Sequence, residues 1–112
     1  MYKVQYSPKA KEDLLRTKSY IRAEFSENLT KEILKRITTK IRNLEEFPLM
    51  GRPLANLIDV PTDYLYLVIE KNYVFYRNEE KTVKIIRVLN DRQDFMRILF
   101  GVVEIIDEVD EE

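Results

Sequence analysis

Residues Tyr64–Phe100 read Y-L-Y-L-V-I-E-K-N-Y-V-F-Y-R-N-E-E-K-T-V-K-I-I-R-V-L-N-D-R-Q-D-F-M-R-I-L-F. Three aromatic and β-branched runs are separated by short polar turns, the pattern of consecutive antiparallel strands. The strands fall near 64–69, 72–78 and 82–89, with Asn78-Glu79-Glu80-Lys81 as a polar hairpin turn. Residues two apart share a strand face. Tyr73, Phe75 and Arg77 therefore lie opposite Val74 and Tyr76, and Val83, Ile85 and Arg87 lie opposite Lys84, Ile86 and Val88. Arginine is rarely buried without a partner, so the Arg77 and Arg87 faces are expected to look away from the helices, on one exposed or concave surface. Arg92 and Arg97 extend that surface, which points to a phosphate-facing site; the alternative is a set of surface arginines paired with Glu79, Glu80, Asp91 and Asp94. Asp94–Phe100 fits either a last short strand or a helical turn.

Upstream, Tyr2–Tyr6 alternates as a short strand. Ser7-Pro8 is an N-cap followed by proline at the first helical position. Ala10, Leu14, Thr17, Ile21 and Phe25 continue at helical spacing, which predicts a helix over about 8–25. Ser26-Glu27-Asn28 is a break. Leu29, Ile33, Ile37, Ile41 and Leu44 form a second stripe, predicting a helix over about 28–46 that stops at Phe47-Pro48. So short a break between two amphipathic helices means an antiparallel hairpin. Residues 48–62 hold three of the four prolines and form the loop that crosses to the sheet. Tyr20, Phe25 and Phe47 are expected to pack in the core or at helix ends, while Tyr73 and Phe95 are candidates for base stacking. The order β-α-α-β-β-β, with helices segregated from a meander, is an α+β layout. The helix hairpin packs on one face of an antiparallel sheet, and the other face is open unless a partner covers it.

The 112 residues make one domain, expected over 1–100 and followed by an acidic tail over 101–112. Residues 1–100 hold all 19 basic residues and 14 of the 20 acidic ones, so a mildly basic body precedes an acidic end. No apolar run approaches the length of a membrane span. No secretory signal region precedes Ser7, and a cytoplasmic protein is expected. The chain has neither cysteine nor histidine. A thiolate nucleophile, a Cys-ligated zinc and the commonest general base are thereby excluded. No glycine-rich phosphate loop, nucleophile elbow or H-E-x-x-H motif is present, and no cofactor or metal is expected.

With those elements placed, the chain resembles the toxins of the RelE/ParE superfamily, the toxic halves of bacterial type II toxin–antitoxin modules. The landmarks run in order from Tyr2 to about Phe100. They are S-P-K-A-K-E-D-L with Tyr20-Ile21 in the first helix, F-P-L-M-G-R-P at the exit of the second, N-Y-V-F-Y-R, and I-I-R-V-L-N-D-R-Q-D-F-M-R-I-L-F. The resemblance implies a microbial RNase-like fold whose open sheet face is a concave site, covered by an antitoxin. RelE-like members are mRNA interferases, endoribonucleases that cut mRNA in the ribosomal A site and inhibit translation. They use Lys, Arg and Tyr where other nucleases use histidine. ParE-like members block DNA gyrase and are not nucleases. The expected function is ribosome-dependent mRNA cleavage. The alternatives are gyrase inhibition and a catalytically inactive member that only binds antitoxin or dimerises.

Under the nuclease reading, Arg92 matches an arginine of the family's site. Arg77, Arg87 and Arg97 would add donors to the charge that develops in the transition state, and Tyr73 a hydroxyl. The chain departs from the nuclease pattern at Phe95 and Phe100, near which a tyrosine is expected. It departs also at Leu65 and Tyr73, where arginine is frequent, and at Asn90-Asp91, where His-Gly or Tyr-Gly is usual. The expected partners are a cognate antitoxin and the ribosome with its mRNA, or else DNA gyrase. A homodimer or a toxin–antitoxin hetero-oligomer is the expected assembly.

Overall fold

Ser7 begins the first helix as the sequence requires. Its Oγ accepts the Ala10 N–H at 2.9 Å and donates to the Ile86 carbonyl at 2.8 Å, fixing the helix start to a strand far along the chain. The computed structural model describes residues 1–101; the acidic tail expected after Gly101 lies outside them. The elements are β1 (Lys3–Tyr6), α1 (Pro8–Glu24), α2 (Glu27–Arg42), a 3-10 turn (Asn43–Glu45), β2 (Arg52–Pro53), α3 (Ala55–Ile58), β3 (Leu65–Ile69), β4 (Asn72–Glu79), β5 (Thr82–Asn90) and α4 (Phe95–Phe100). Ser26 caps α2 through the Leu29 N–H. Asp94–Phe100, which periodicity left open, is helical after an Asp94 cap whose carboxylate accepts the Arg97 N–H at 3.3 Å.

The five strands form one sheet in the order β1-β5-β4-β3-β2. The meander β3-β4-β5 is antiparallel, whereas β1 joins β5 in parallel, so the sheet is mixed. The architecture is the expected α+β one. Edge strand β1 is protected on its open side. Glu45 accepts the Val4 N–H on its carboxylate at 3.0 Å and the Tyr2 N–H on its carbonyl at 3.1 Å. A free strand edge is thereby covered by a side chain.

Two apolar clusters lie on opposite faces of the sheet. The helix hairpin packs Ile21, Ile33, Ile37 and Ile41 against Val74, Tyr76, Val83 and Ile85. On the other face Leu54, Phe75 and Leu89 meet Tyr64, Tyr66, Tyr73, Phe95, Ile98 and Phe100. Alternation along β4 places Val74 and Tyr76 on one side and Tyr73 and Phe75 on the other, as the period of two requires. The second face, expected to be open, is therefore covered in part by α4. Tyr20, Phe25 and Phe47, expected in the core or at helix ends, are all substantially exposed.

The alternation expected along β5 does not hold. Phe75 pairs with Arg87 and Tyr76 with Ile85, so Ile86 is an extra residue and the ladder has a bulge there. A bulge shifts the face of every later residue by one. Val83 and Ile85, before the bulge, belong to the helix-side core, and the shift brings Val88 beyond it onto the same side.

Tyr76 also fixes the loop that leaves α2. Its hydroxyl donates to the Pro48 carbonyl and accepts the Gly51 N–H, each at 2.9 Å, and Asn78 Nδ2 donates to the same carbonyl at 3.0 Å. Gly51 is required for this approach. A Cβ there would lie 2.6 Å from the Tyr76 hydroxyl and 2.8 Å from the Tyr66 carbonyl oxygen.

Candidate functional site

Arg87 is not on an open surface. Its Nε and Nη2 donate to the two carboxylate oxygens of Asp13 on α1, at 2.8 and 2.9 Å. The Asp13 side chain is fully buried and the Arg87 side chain 18% exposed. Asp13 also accepts the Val88 N–H at 2.9 Å and an Arg16 Nη1 hydrogen bond at 3.0 Å. The pairing of β1 with β5 ends at Tyr6 and Ile85, so the Asp13 carboxylate serves an amide of β5 beyond that ladder. Burial pushes the Asp13 carboxyl up, but the hydrogen bonds from Arg87, Val88 and Arg16 outweigh it and hold the group below the usual carboxylate range. Asp13 also raises Arg87 through the same hydrogen bonds. The sequence carried one sign of this pair: a carboxylate three residues after Ala10, on the buried side of the first helix.

Arg77 is neutralised locally. Its Nη2 meets Glu79 Oε2 at 2.8 Å, and Lys84, its register partner on β5, meets Glu79 Oε1 at 3.0 Å. Lys84 chiefly, then Arg77, lowers the Glu79 carboxyl. The Arg77 guanidinium stands 6.0 Å from the Tyr64 ring centroid, and Tyr64 in turn stacks on Phe100 at 5.8 Å.

Tyr73 is part of an aromatic layer. Its ring lies 5.9 Å from Tyr66, 5.8 Å from Phe75 and 5.4 Å from Phe95. These spacings are those of packed aromatic pairs. Tyr73 and Phe95, both offered as base-stacking candidates, pack on each other, and Phe95 pins α4 to the sheet.

Arg92 lies in the turn after β5, and Arg97 on α4. Both are exposed, and neither has a carboxylate within ion-pair distance among the described residues. The turn is held by its backbone. The Arg92 N–H donates to Asn90 Oδ1 at 2.9 Å, and the Asn90 N–H to Gln93 Oε1 at 3.0 Å. Of the five candidate residues the fold thus brings Tyr73 to the α4 segment that carries Arg97. It turns Arg87 onto α1 and ties Arg77 to Glu79. No helix among the described residues is long and apolar enough to cross a membrane.

A fold of this order, with a helix hairpin on a five-stranded sheet, is that of the RelE/ParE superfamily of toxins. The family model for the ParE toxin of the type II toxin–antitoxin system ParDE matches residues 4–95, and the chain belongs to that family. A solved chain described as the chromosomal ParDE toxin–antitoxin system from P. aeruginosa shares the fold, with a TM-score of 0.67 and 19% identity. The match covers 80% of this chain and 96% of that one. No curated protein matches the sequence.

Proposed function

We propose that this ParE-family toxin acts on DNA gyrase, is neutralised by a cognate antitoxin, and does not cut mRNA. The observation that carries this reading is the Asp13–Arg87 pair. A ribonuclease without histidine needs cationic donors aimed at the phosphate as charge develops. The Nε and Nη2 donors of Arg87 are already committed to a buried carboxylate. Arg77 is matched by Glu79, Tyr73 is packed among aromatics, and Phe95 and Phe100 bring no hydroxyl to α4. Membership of the ParE family supports the same target.

Ribosome-dependent mRNA cleavage is the second reading, and exposed Arg92 and Arg97 are what favour it. The two readings separate on induction of the toxin in cells. With gyrase as the target, transcript ends are unchanged in translated messages, for the parent chain and for Arg92→Ala alike. In-frame cuts by the parent chain that vanish in Arg92→Ala would establish the nuclease instead. The antitoxin component is tested by co-expression with the product of an adjacent short reading frame. A stable complex is expected, and no binding at micromolar concentration would refute it.

A further inference from the structure

The turns that join β3 to β4 and β4 to β5 share the residues Glu-Lys and the same backbone. Glu70 and Lys71 have φ of 51° and 67°, and Glu80 and Lys81 have φ of 44° and 68°. In each turn the lysine carbonyl accepts an amide from a neighbouring segment. The Asp91 N–H donates to Lys71 at 3.1 Å, and the Lys3 N–H donates to Lys81 at 3.0 Å. Two-residue turns of this kind suit Asn-Gly. Other residues hold a left-handed backbone only where their surroundings fix it.

Those surroundings differ between the two turns. Glu70 is tied to the helix hairpin. Arg36 of α2 donates from Nε to Glu70 Oε2 at 2.9 Å and from Nη2 to Glu70 Oε1 at 3.5 Å. Glu32, one turn earlier on α2, comes only within 3.9 Å of Arg36. Asn72 is buried and donates from Nδ2 to the Glu70 carbonyl at 2.9 Å. Glu80 has no ion pair among the described residues.

Lys71 carries the constraint onward. Its carbonyl holds Asp91, the first residue after β5. The Arg92 N–H then rests on Asn90 Oδ1, and Asn90 is the register partner of Asn72. Asp94 next caps α4, and Phe95 seats that helix on the aromatic face. We propose that the Arg36–Glu70 pair is a latch by which α2 fixes the turn between β5 and α4, and with it the start of the helix that covers the aromatic face. The two side chains are 51% and 33% exposed, so the latch can be undone from solvent while the core stays folded.

The test is amide hydrogen exchange of the full-length chain, resolved by residue with NMR. Glu70→Gln and Arg36→Gln should each quicken exchange at Asp91, Arg92 and Ile98 about two- to fivefold, the size of an exposed ion pair. The double variant should add nothing further, because both changes remove one interaction. Salt at about 1 M, where the Debye length is about 3 Å, should reproduce the effect in the parent chain and not in the variants. The Lys3 amide at the twin turn and the Val88 amide in the core should keep their rates throughout. Four results would overturn the proposal. They are unchanged exchange at Asp91 and Arg92 in both single variants, quickening that stops short of Ile98, an equal rise at Lys3 or Val88, which marks general loosening, and additive effects of the two substitutions.

Discussion

Asp13 serves Arg87, Arg16 and the Val88 amide at once. Removing one partner of a buried pair is costly because the other charge is left without compensation. Asp13→Asn should therefore lower stability by about 3 kcal/mol in urea unfolding. The pH dependence follows from the direction of its shift. The folded carboxyl titrates below its unfolded value of about 3.9, so its contribution is complete above that pH and is lost as pH falls through the folded pKa. The stability gap between parent and Asp13→Asn should be constant above about pH 5 and close in more acid solution; a gap independent of pH down to 2 would contradict this. At the loop, Tyr76→Phe should cost about 1–3 kcal/mol by stranding the Gly51 N–H and the Pro48 carbonyl. Gly51→Ala should cost more, because its Cβ meets backbone at 2.8 Å. Urea midpoints order the two variants. The glycine was visible in the sequence, but the reason for it was not, since its neighbours Tyr66 and Tyr76 come from other strands.

Periodicity located the principal helices and strands because each buries one clean face. Ser7-Pro8 and Ser26 mark the helix starts, and the strand limits expected at 64–69, 72–78 and 82–89 are within a residue of those observed. Three features were hidden for a physical reason: each depends on a partner distant in sequence. They are the parallel pairing of β1 with β5, the bulge at Ile86, and α4 lying on the aromatic face. The bulge takes Arg87 off the face of Val83 and Ile85, which an unbroken alternation had joined to it, so those two lie against the helices and not away from them. The hairpin turns carry their own strain. Glu70-Lys71 and Glu80-Lys81 both have positive φ at both residues, at 51° and 67° and at 44° and 68°. Such two-residue turns favour Asn-Gly, and a left-handed non-glycine residue costs roughly 1–2 kcal/mol. Replacing Glu80-Lys81 by Asn-Gly should raise stability by about 1 kcal/mol in thermal or urea unfolding, and a loss would contradict the turn assignment. Phe95→Ala should cost about 2 kcal/mol, since a half-buried ring gives up part of the usual large-to-small penalty. Hydrogen exchange should then quicken in α4 and not in the helix hairpin.

For the molecule as a whole, the charge pattern separates scaffold from surface. Arg87 and Arg77, two of the added donors of the nuclease reading, are absorbed by the fold at Asp13 and at Glu79, whereas the seam between α1 and α2, Arg92 and Arg97 keep positive charge exposed. The family was legible from the order of the landmarks, but the pairing of Arg87 was not, because its partner Asp13 lies on α1, far away in the chain. Arg92→Ala should leave gyrase inhibition within a factor of about three, the size of an ordinary surface substitution of ~0.5 kcal/mol. The most direct measurement is supercoiling of relaxed plasmid by purified gyrase with increasing amounts of the purified toxin, beside translating ribosomes given the same amounts. Concentration-dependent loss of supercoiling, relieved by the antitoxin and accompanied by intact ribosome-bound mRNA, is the predicted result. Undiminished supercoiling at an excess of toxin, with mRNA cut on the ribosome, would contradict it.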